Sequence, residues 1–246
     1  MKKILITGSS GLVGSETVEF FYKKKFEIYA IDNDLRSLLF GKESSTLSLK
    51  KYQKEKYPDI NFLNLDIVNY NKLESIFAEN KFDIIIHTAG QPSHDWSAKD
   101  PILDFKVNAL GTINLLELTR KYCSKAVFIY TSTNKVYGDS PNFIKGLKEL
   151  QTRFEVYKNK KLFSINEKFS IDDSKHSPFG VSKTAGDLYV QEYGKYFGLK
   201  TISFRCGCIT GPNHKGAELH GFLSYLVSCI IKNKHYKIFG YKSFKK

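Results

Sequence analysis

The residues best suited to chemistry lie at the amino terminus. An apolar run, Lys3-Ile4-Leu5-Ile6, opens directly into Thr7-Gly8-Ser9-Ser10-Gly11-Leu12-Val13-Gly14. In a phosphate-cradling turn of this kind one glycine permits the tight bend, a second lets the backbone approach a pyrophosphate, and a third lets helix and strand pack closely. Those places fall to Gly8, Gly11 and Gly14, and the free N–H groups of the following helix favour phosphate oxygens. The spacing is G-x-x-G-x-x-G rather than G-x-G-x-x-G, so its weight comes from sitting between a strand and a helix. Asp32, 18 residues beyond Gly14, closes the next apolar run. A carboxylate there binds a ribose diol and repels a 2′-phosphate, so the expected cofactor is NAD rather than NADP, with Arg36 as the opposing charge nearby.

The elements that must position these groups alternate between short β-branched runs and longer amphipathic stretches. Strands are expected at 3–6, 28–31, 62–65, 83–86, 126–130 and 201–204, and helices at 12–22, 70–79, 102–122 and 180–196. Strands apolar on both faces and separated by helical crossovers imply an α/β fold, a doubly wound Rossmann parallel sheet of six or more strands. Two stretches break the alternation. Residues 36–58 are polar and lysine-rich and read as a surface excursion. Residues 139–176 carry Phe143, Phe154, Tyr157 and Phe163 at irregular spacing, as a lid, a binding loop or a packed insertion would.

Composition narrows the function classes. The 246 residues carry a formal net charge of +13, but only Arg36, Arg120, Arg153 and Arg205 are arginines, and the lysines are scattered. Nucleic-acid binders set their basic residues on one stripe, so a solvated lysine-rich surface is expected, with no nucleic-acid partner. No apolar run approaches the roughly 20 residues of a membrane helix, so no membrane partner is expected. Met1-Lys2-Lys3 followed by Ile4-Leu5-Ile6 is too short for a signal peptide's apolar region, and a cytoplasmic location is expected. Cys123, Cys206, Cys208 and Cys229 show no metal-ligand spacing, so no metal is expected and the thiols read as reduced, small buried hydrophobes.

Four further segments carry a family resemblance. They are His87-Thr88-Ala89-Gly90-Gln91-Pro92-Ser93-His94-Asp95-Trp96, Asp104-Phe105-Lys106-Val107-Asn108-Ala109-Leu110-Gly111-Thr112, Leu115-Leu116-Glu117, and Ser132-Thr133-Asn134-Lys135-Val136-Tyr137-Gly138-Asp139. With the glycine turn they resemble the extended short-chain dehydrogenases/reductases, the group of sugar-nucleotide epimerases and dehydratases, over nearly the whole chain. The resemblance implies transient hydride transfer between NAD and a nucleotide-diphosphate sugar, with inversion at C2 of a CDP-linked sugar as its finer indication. It places Ser10, Leu12, Val13 and Asn33 on the cofactor with the glycines and Asp32. Asp66 and Ile67 would meet adenine, and Ala89-Gly90-Gln91 would lie along the phosphates and ribose. Asn108 would brace the active-site backbone. Thr133 would hydrogen-bond the reacting sugar oxygen, and Lys183 would hold the nicotinamide ribose and lower the pKa of a neighbouring phenol. Ser93, His94, Asn134, Tyr137, Asn213 and His220 would face substrate, although a structural or solvent-facing role serves the histidines equally well. The resemblance also implies a homodimer formed through the helices near 102–122 and 180–196. It divides the chain into an NAD-binding Rossmann domain, 1–212, and a partial, truncated substrate-binding lobe, 213–246. That lobe would begin with a helix near 219–231 and a strand at Ile238-Phe239-Gly240-Tyr241.

One position departs from the family pattern. In Ser177-Pro178-Phe179-Gly180-Val181-Ser182-Lys183 the tyrosine base of Tyr-x-x-x-Lys is Phe179, and a phenyl ring has no proton to exchange. General acid–base help is worth roughly 10²–10⁴-fold. Three readings stay open: a cofactor-binding relic without catalysis, a substitute group such as Tyr137, Lys135 or His176, or chemistry in which the phenol is dispensable. A 4,6-dehydratase or 4-epimerase is the alternative within the enzyme class.

Overall fold

The computed structural model describes residues 1–217 and 221–237. Its frame is a six-stranded parallel sheet of β1 (Lys3–Thr7), β2 (Glu27–Ile31), β3 (Asn61–Leu63), β4 (Ile84–His87), β5 (Val127–Thr133) and β9 (Lys200–Cys206). The spatial order is β3-β2-β1-β4-β5-β9, so the chain reverses direction across the sheet beside β1. In such a sheet ligands bind beyond the carboxyl ends of the strands at that reversal. Register matches the apolar runs: Leu5 lies between Tyr29 and Ile85, and Ile86 beside Ile129.

Burial explains why β1 is central. Ile4, Leu5 and Ile6 are wholly buried, each worth about 1.5–3 kcal/mol over the exposed state. Their side chains alternate between two cores. Leu5 joins Leu73, Phe77, Leu115 and Phe128 on one face, and Ile4 and Ile6 join Val18, Ile28 and Tyr57 on the other. β9 differs from the expected doubly buried strand, because Ile202 and Phe204 are exposed at the edge of the sheet.

Helices α1 (Leu12–Lys23), α2 (Leu35–Phe40), α3 (Leu47–Lys56), α4 (Tyr70–Glu79), α5 (His94–Lys99), α6 (Pro101–Phe105), α7 (Gly111–Tyr122), α8 (Ser177–Phe197) and α9 (Phe222–Ile231) complete the described architecture. Capping residues set several starts. Asn69 accepts from the Lys72 amide, Ser93 from that of Trp96, and Asp100 from that of Leu103 with Pro101 at the first helical position. The stretch expected as one helix over 102–122 contains a π-helical turn, Lys106–Leu110, between α6 and α7. The excursion 36–58 folds into α2 and α3. Within 139–176 lies a three-stranded antiparallel sheet, β6 (Leu147–Glu149), β7 (Phe154–Lys158) and β8 (Lys161–Phe163). The helix expected near 219–231 begins at Phe222, while the strand expected at 238–241 lies outside the described residues.

Candidate active site

A cleft of about 820 Å³ opens where β1, β4 and β5 end. The glycine turn forms one wall, and its geometry explains the glycines. Gly8 has φ +67°, and a Cβ there would lie 2.7 Å from the Ala89 nitrogen. The ends of β1 and β4 therefore approach too closely for any side chain between them. A Cβ on Gly14 would lie 2.0 Å from the Gly8 oxygen, so α1 packs directly on the turn. Gly11 borders the cleft as the N-cap of α1, its amide donates to the Gly8 carbonyl at 2.9 Å, and an added Cβ would come no nearer than 3.2 Å to that oxygen.

Asp32 closes this wall. Its Oδ2 accepts from the Ser10 amide at 2.9 Å, and its Oδ1 from the Asp34 amide at 2.9 Å. The carboxylate thus both borders the cleft and pins the glycine turn. Asp34 stands beside it, accepting from the Thr46 amide and the Ser45 hydroxyl, so two acids border one end of the cleft. Arg36 borders the same end, but its Nη2 donates to the Lys215 carbonyl at 2.6 Å and its guanidinium lies over Phe40. Burial lowers the Arg36 pKa, partly opposed by Asp34. Asn213 reaches across to α1, donating to Glu16 at 2.9 Å, so residues 213–215 are tied over the cleft mouth.

The opposite wall comes from β5 and α8. Thr133 ends β5 in the cleft, and its Oγ1 accepts from the Lys135 amide at 3.2 Å. Lys183 is 7% exposed; its Nζ donates to the Thr131 carbonyl at 2.9 Å and sits 4.2 Å from the centre of the Tyr130 ring. Burial pushes its pKa down to about 8, opposed chiefly by the charge of Asp187 one helical turn on. Asp187 is held in turn by Arg205 at 2.8 Å and Ser203 at 2.7 Å. Phe179, one helical turn before Lys183 on α8 and 7% exposed, also lines the cleft.

A buried polar net supports both walls. The π-helical turn presents Asn108, whose Oδ1 accepts from the Gln91 amide at 2.9 Å and whose Nδ2 donates to the Gln91 carbonyl, Asp104 and Ser182. Ser182 donates to the Phe179 carbonyl, so the net runs from the β4 loop to α8. His87, wholly buried, joins Thr7 at 2.8 Å and Thr112 at 3.0 Å. Burial drives its pKa down to about 3, helped by Lys183, so it is a neutral strut.

Of the sequence-predicted positions, Gly8, Ser10, Gly11, Leu12, Val13, Asp32, Asn33, Asp66, Ile67, Ala89, Gly90, Gln91, Thr133, Phe179, Lys183 and Asn213 all border the cleft. Gly14 and Asn108 stand behind it, in packing and bracing positions. Ser93 is buried as the α5 cap, and Asn134 is exposed beside Thr133. Tyr137 turns away from the cleft, donating to the Asn166 carbonyl and accepting from Arg205, each at 3.1 Å. His94 touches the edge of Phe179 rather than the cleft surface, and His220 lies outside the described residues. The thiols correct their expected burial: Cys206 is half-buried, Cys208 exposed, and both border the cleft because the chain leaves β9 there. Sequence reasoning missed Asp34, two residues past Asp32, and Thr46, which the fold of 36–58 brings back to the same end of the cleft. No residue of 139–176 borders the cleft.

A glycine turn at a sheet's reversal point, closed by an acid on the next strand, defines the doubly wound α/β class to which many dinucleotide-binding folds belong. The chain belongs to the NAD dependent epimerase/dehydratase family, which residues 4–245 match. It is 31% identical over 233 residues to CDP-paratose 2-epimerase of Salmonella typhi, covering 95% of this chain and 65% of that protein. It is 31% identical over 240 residues to dTDP-D-glucose 4,6-dehydratase of Dictyostelium discoideum, covering 98% of this chain and 50% of that one. The crystal structure of Thermus thermophilus UDP-glucose 4-epimerase in complex with NAD superposes with a TM-score of 0.68 at 27% identity, over 94% of this chain and 63% of that one. The chain therefore spans two thirds or less of the length of these relatives. No helix among the described residues is long and apolar enough to cross a membrane.

Proposed function

We propose that this chain binds NAD in the cleft and acts as an epimerase on a nucleotide-diphosphate sugar, in the manner of CDP-paratose 2-epimerase. The observation that carries this reading is that Thr133 and Lys183 border the same cleft as the Gly8–Gly11 turn and Asp32. The residues suit the cofactor: the turn excludes side chains where a pyrophosphate must approach, and Asp32 with Asp34 disfavours a 2′-phosphate. Bound NAD supplies a hydride acceptor that returns the hydride later in the same turnover. Lys183 would hold the nicotinamide ribose, Thr133 would orient the sugar hydroxyl, and Asn108 braces the Gln91 backbone that borders the cleft. Asn213, Arg36 and Glu16, which tie down residues 213–215, would keep that segment at the cofactor's edge of the cleft. Residues 1–212 serve as the NAD-binding domain and 213–246 as part of a substrate lobe. Exposed Ile102 and Phe105 near α6, with Leu188 and Tyr189 on α8, support a homodimer through these helices.

A second reading has its own support. Phe179 removes the phenolic proton, which favours a dinucleotide-binding protein without catalysis, and the similarity to dTDP-D-glucose 4,6-dehydratase favours elimination over inversion. The test is incubation of the purified protein, loaded with NAD, with CDP-, UDP- and dTDP-hexoses, and product analysis by NMR and mass spectrometry. Inversion at C2 of a CDP-sugar supports the proposal. Inversion at C4 or loss of water moves the assignment within the family, and tight NAD binding with no product from any sugar selects the non-catalytic reading.

A further inference from the structure

The sequence sets two opposed charges near one end of the cleft: Asp32, which repels a 2′-phosphate, and Arg36, four residues on, which would attract one. A guanidinium holds phosphate through paired N–H groups, so a free arginine at this end would weaken a preference for NAD. The fold does not leave it free. Arg36 borders the cleft with Asp32 and Asp34, but its Nη2 donates at 2.6 Å to the backbone carbonyl of Lys215, 179 residues away. The guanidinium carbon also stands 5.1 Å from the centre of the Phe40 ring.

The accepting carbonyl is itself fixed. Beyond β9 the chain forms a short turn in which the His214 amide donates to the Gly211 carbonyl and the Gly216 amide to the His214 carbonyl, each at 3.0 Å. This strap is anchored on α1. The Asn213 amide group donates to Glu16 at 2.9 Å and to Ser15 at 3.4 Å, and a Cβ on Gly211 would stand 3.4 Å from the Leu12 Cδ1. Asn213, His214 and Lys215 border the cleft, whereas Glu16 is exposed outside it. The strap is therefore held to α1 at Asn213 and to α2 at Arg36. The second of these bonds occupies an N–H group that a phosphate would need.

From this arrangement we infer that the 213–215 strap sets cofactor specificity: by holding Arg36 on the Lys215 carbonyl, it withholds the guanidinium from a 2′-phosphate and reserves the cleft for NAD over NADP. The inference rests on the proposed NAD site. Asp32 and Asp34 supply repulsion, and the strap removes the attraction that would offset it. Burial lowers the Arg36 pKa and Asp34 opposes that shift, yet an arginine stays protonated at any working pH. The strap thus redirects a cation without neutralising it.

Calorimetric titration of the full chain with NAD and with NADP tests this in wild type, Asn213→Ala, Glu16→Ala, Arg36→Gln and the Asn213→Ala/Arg36→Gln pair. Wild type should favour NAD. Each strap variant should gain at least about 10-fold in NADP affinity relative to NAD, the scale of one charge-assisted hydrogen bond. Adding Arg36→Gln should abolish that gain. Arg36→Gln alone should leave the wild-type ratio in place, because the guanidinium takes no part in it. Glu16→Ala changes only an exposed side chain of α1, so it carries the test even if Asn213→Ala fails to fold. Folded strap variants with the wild-type ratio, a gain that survives Arg36→Gln, or weaker NADP binding in Arg36→Gln alone would each overturn the inference. So would a wild type that binds NADP as tightly as NAD, although the dinucleotide site would stand. A wild type that binds neither dinucleotide removes the NAD reading itself.

Discussion

Gly14→Ala and Gly11→Ala separate packing from ligand contact within one turn. At Gly14 the new methyl carbon would stand 2.0 Å from the Gly8 oxygen, 2.7 Å from the Gly8 carbonyl carbon and 2.8 Å from the Ser9 Cα. Ordinary contact requires more than 3 Å, and all three neighbours are backbone, so α1 must back away by about 1 Å or more. Overpacking of this kind costs about 1–3 kcal/mol, toward or beyond the upper end when backbone must shift. Alanine recovers up to about 1 kcal/mol of helix propensity. The net loss is about 2 kcal/mol, or a Tm drop of about 4–8 °C for a chain of this size. NAD affinity should fall as well, because the displaced backbone is the cradle. At Gly11, φ is −80° and the nearest atom is 3.2 Å away, so alanine fits for about 0.5–1 kcal/mol, the cost of a poorer N-cap. Its methyl enters the cleft, so NAD binding should weaken at least 10-fold while the Tm barely moves. Urea denaturation, thermal melts and NAD titration of both variants check this. A Gly14→Ala protein within about 0.5 kcal/mol of wild type would refute the claim that helix–turn contact demands glycine there.

Two further predictions concern buried charge. Lys183 has a folded pKa of about 8 against an ordinary 10.5, so between those values the unfolded chain binds more protons and stability rises with pH. The urea midpoint of wild type should climb relative to Lys183→Met from pH 7.5 to 9.5, and parallel profiles would count against burial as the cause. Asp187 is wholly buried against Arg205, and Asp187→Asn should cost about 3–5 kcal/mol by leaving the guanidinium uncompensated. Because hydrogen bonds and Arg205 hold its folded pKa below the ordinary value, against its burial, this contribution is present above about pH 4 and lost in acid. A loss under 1 kcal/mol at pH 7, read from urea curves, would mean water reaches the pair.

How much of this was legible in the sequence depended on how far apart the interacting residues lie. The six parallel strands, the glycine turn and Asp32 could be read because each rests on a short run, and strand ends moved by three residues at most. Helical periodicity over 102–122 is real but cannot reveal the π-helical turn, which changes no apolar residue and matters only because it swings Asn108 onto Gln91. The small sheet of 147–163 was hidden because its aromatics follow no period of two: Phe163 and Phe169 cluster with Tyr137, and the other strand face carries Lys148 against Tyr157. Thr46 reaches the Asp32 end of the cleft from just before α3, in a stretch whose polarity suggested only surface, and bonds Asp34 there.

Phe179 shows the same principle at the point where function is decided. Read along the chain, a phenylalanine at a tyrosine position is a deletion, and substitutes are sought among residues nearby in sequence. Folding answers by a different measure. Tyr137 borders the right strand yet serves Arg205, and His176 is three residues from Phe179 yet braces the backbone of Val136 and Ser174. His94, which precedes Ser177 by 83 residues, arrives because the Ser93 cap starts α5 beside α8. Distance along the chain is therefore no guide to which side chains meet Phe179: the residue packed on its ring comes from the far end of the β4 loop, while its near neighbours in sequence serve the backbone.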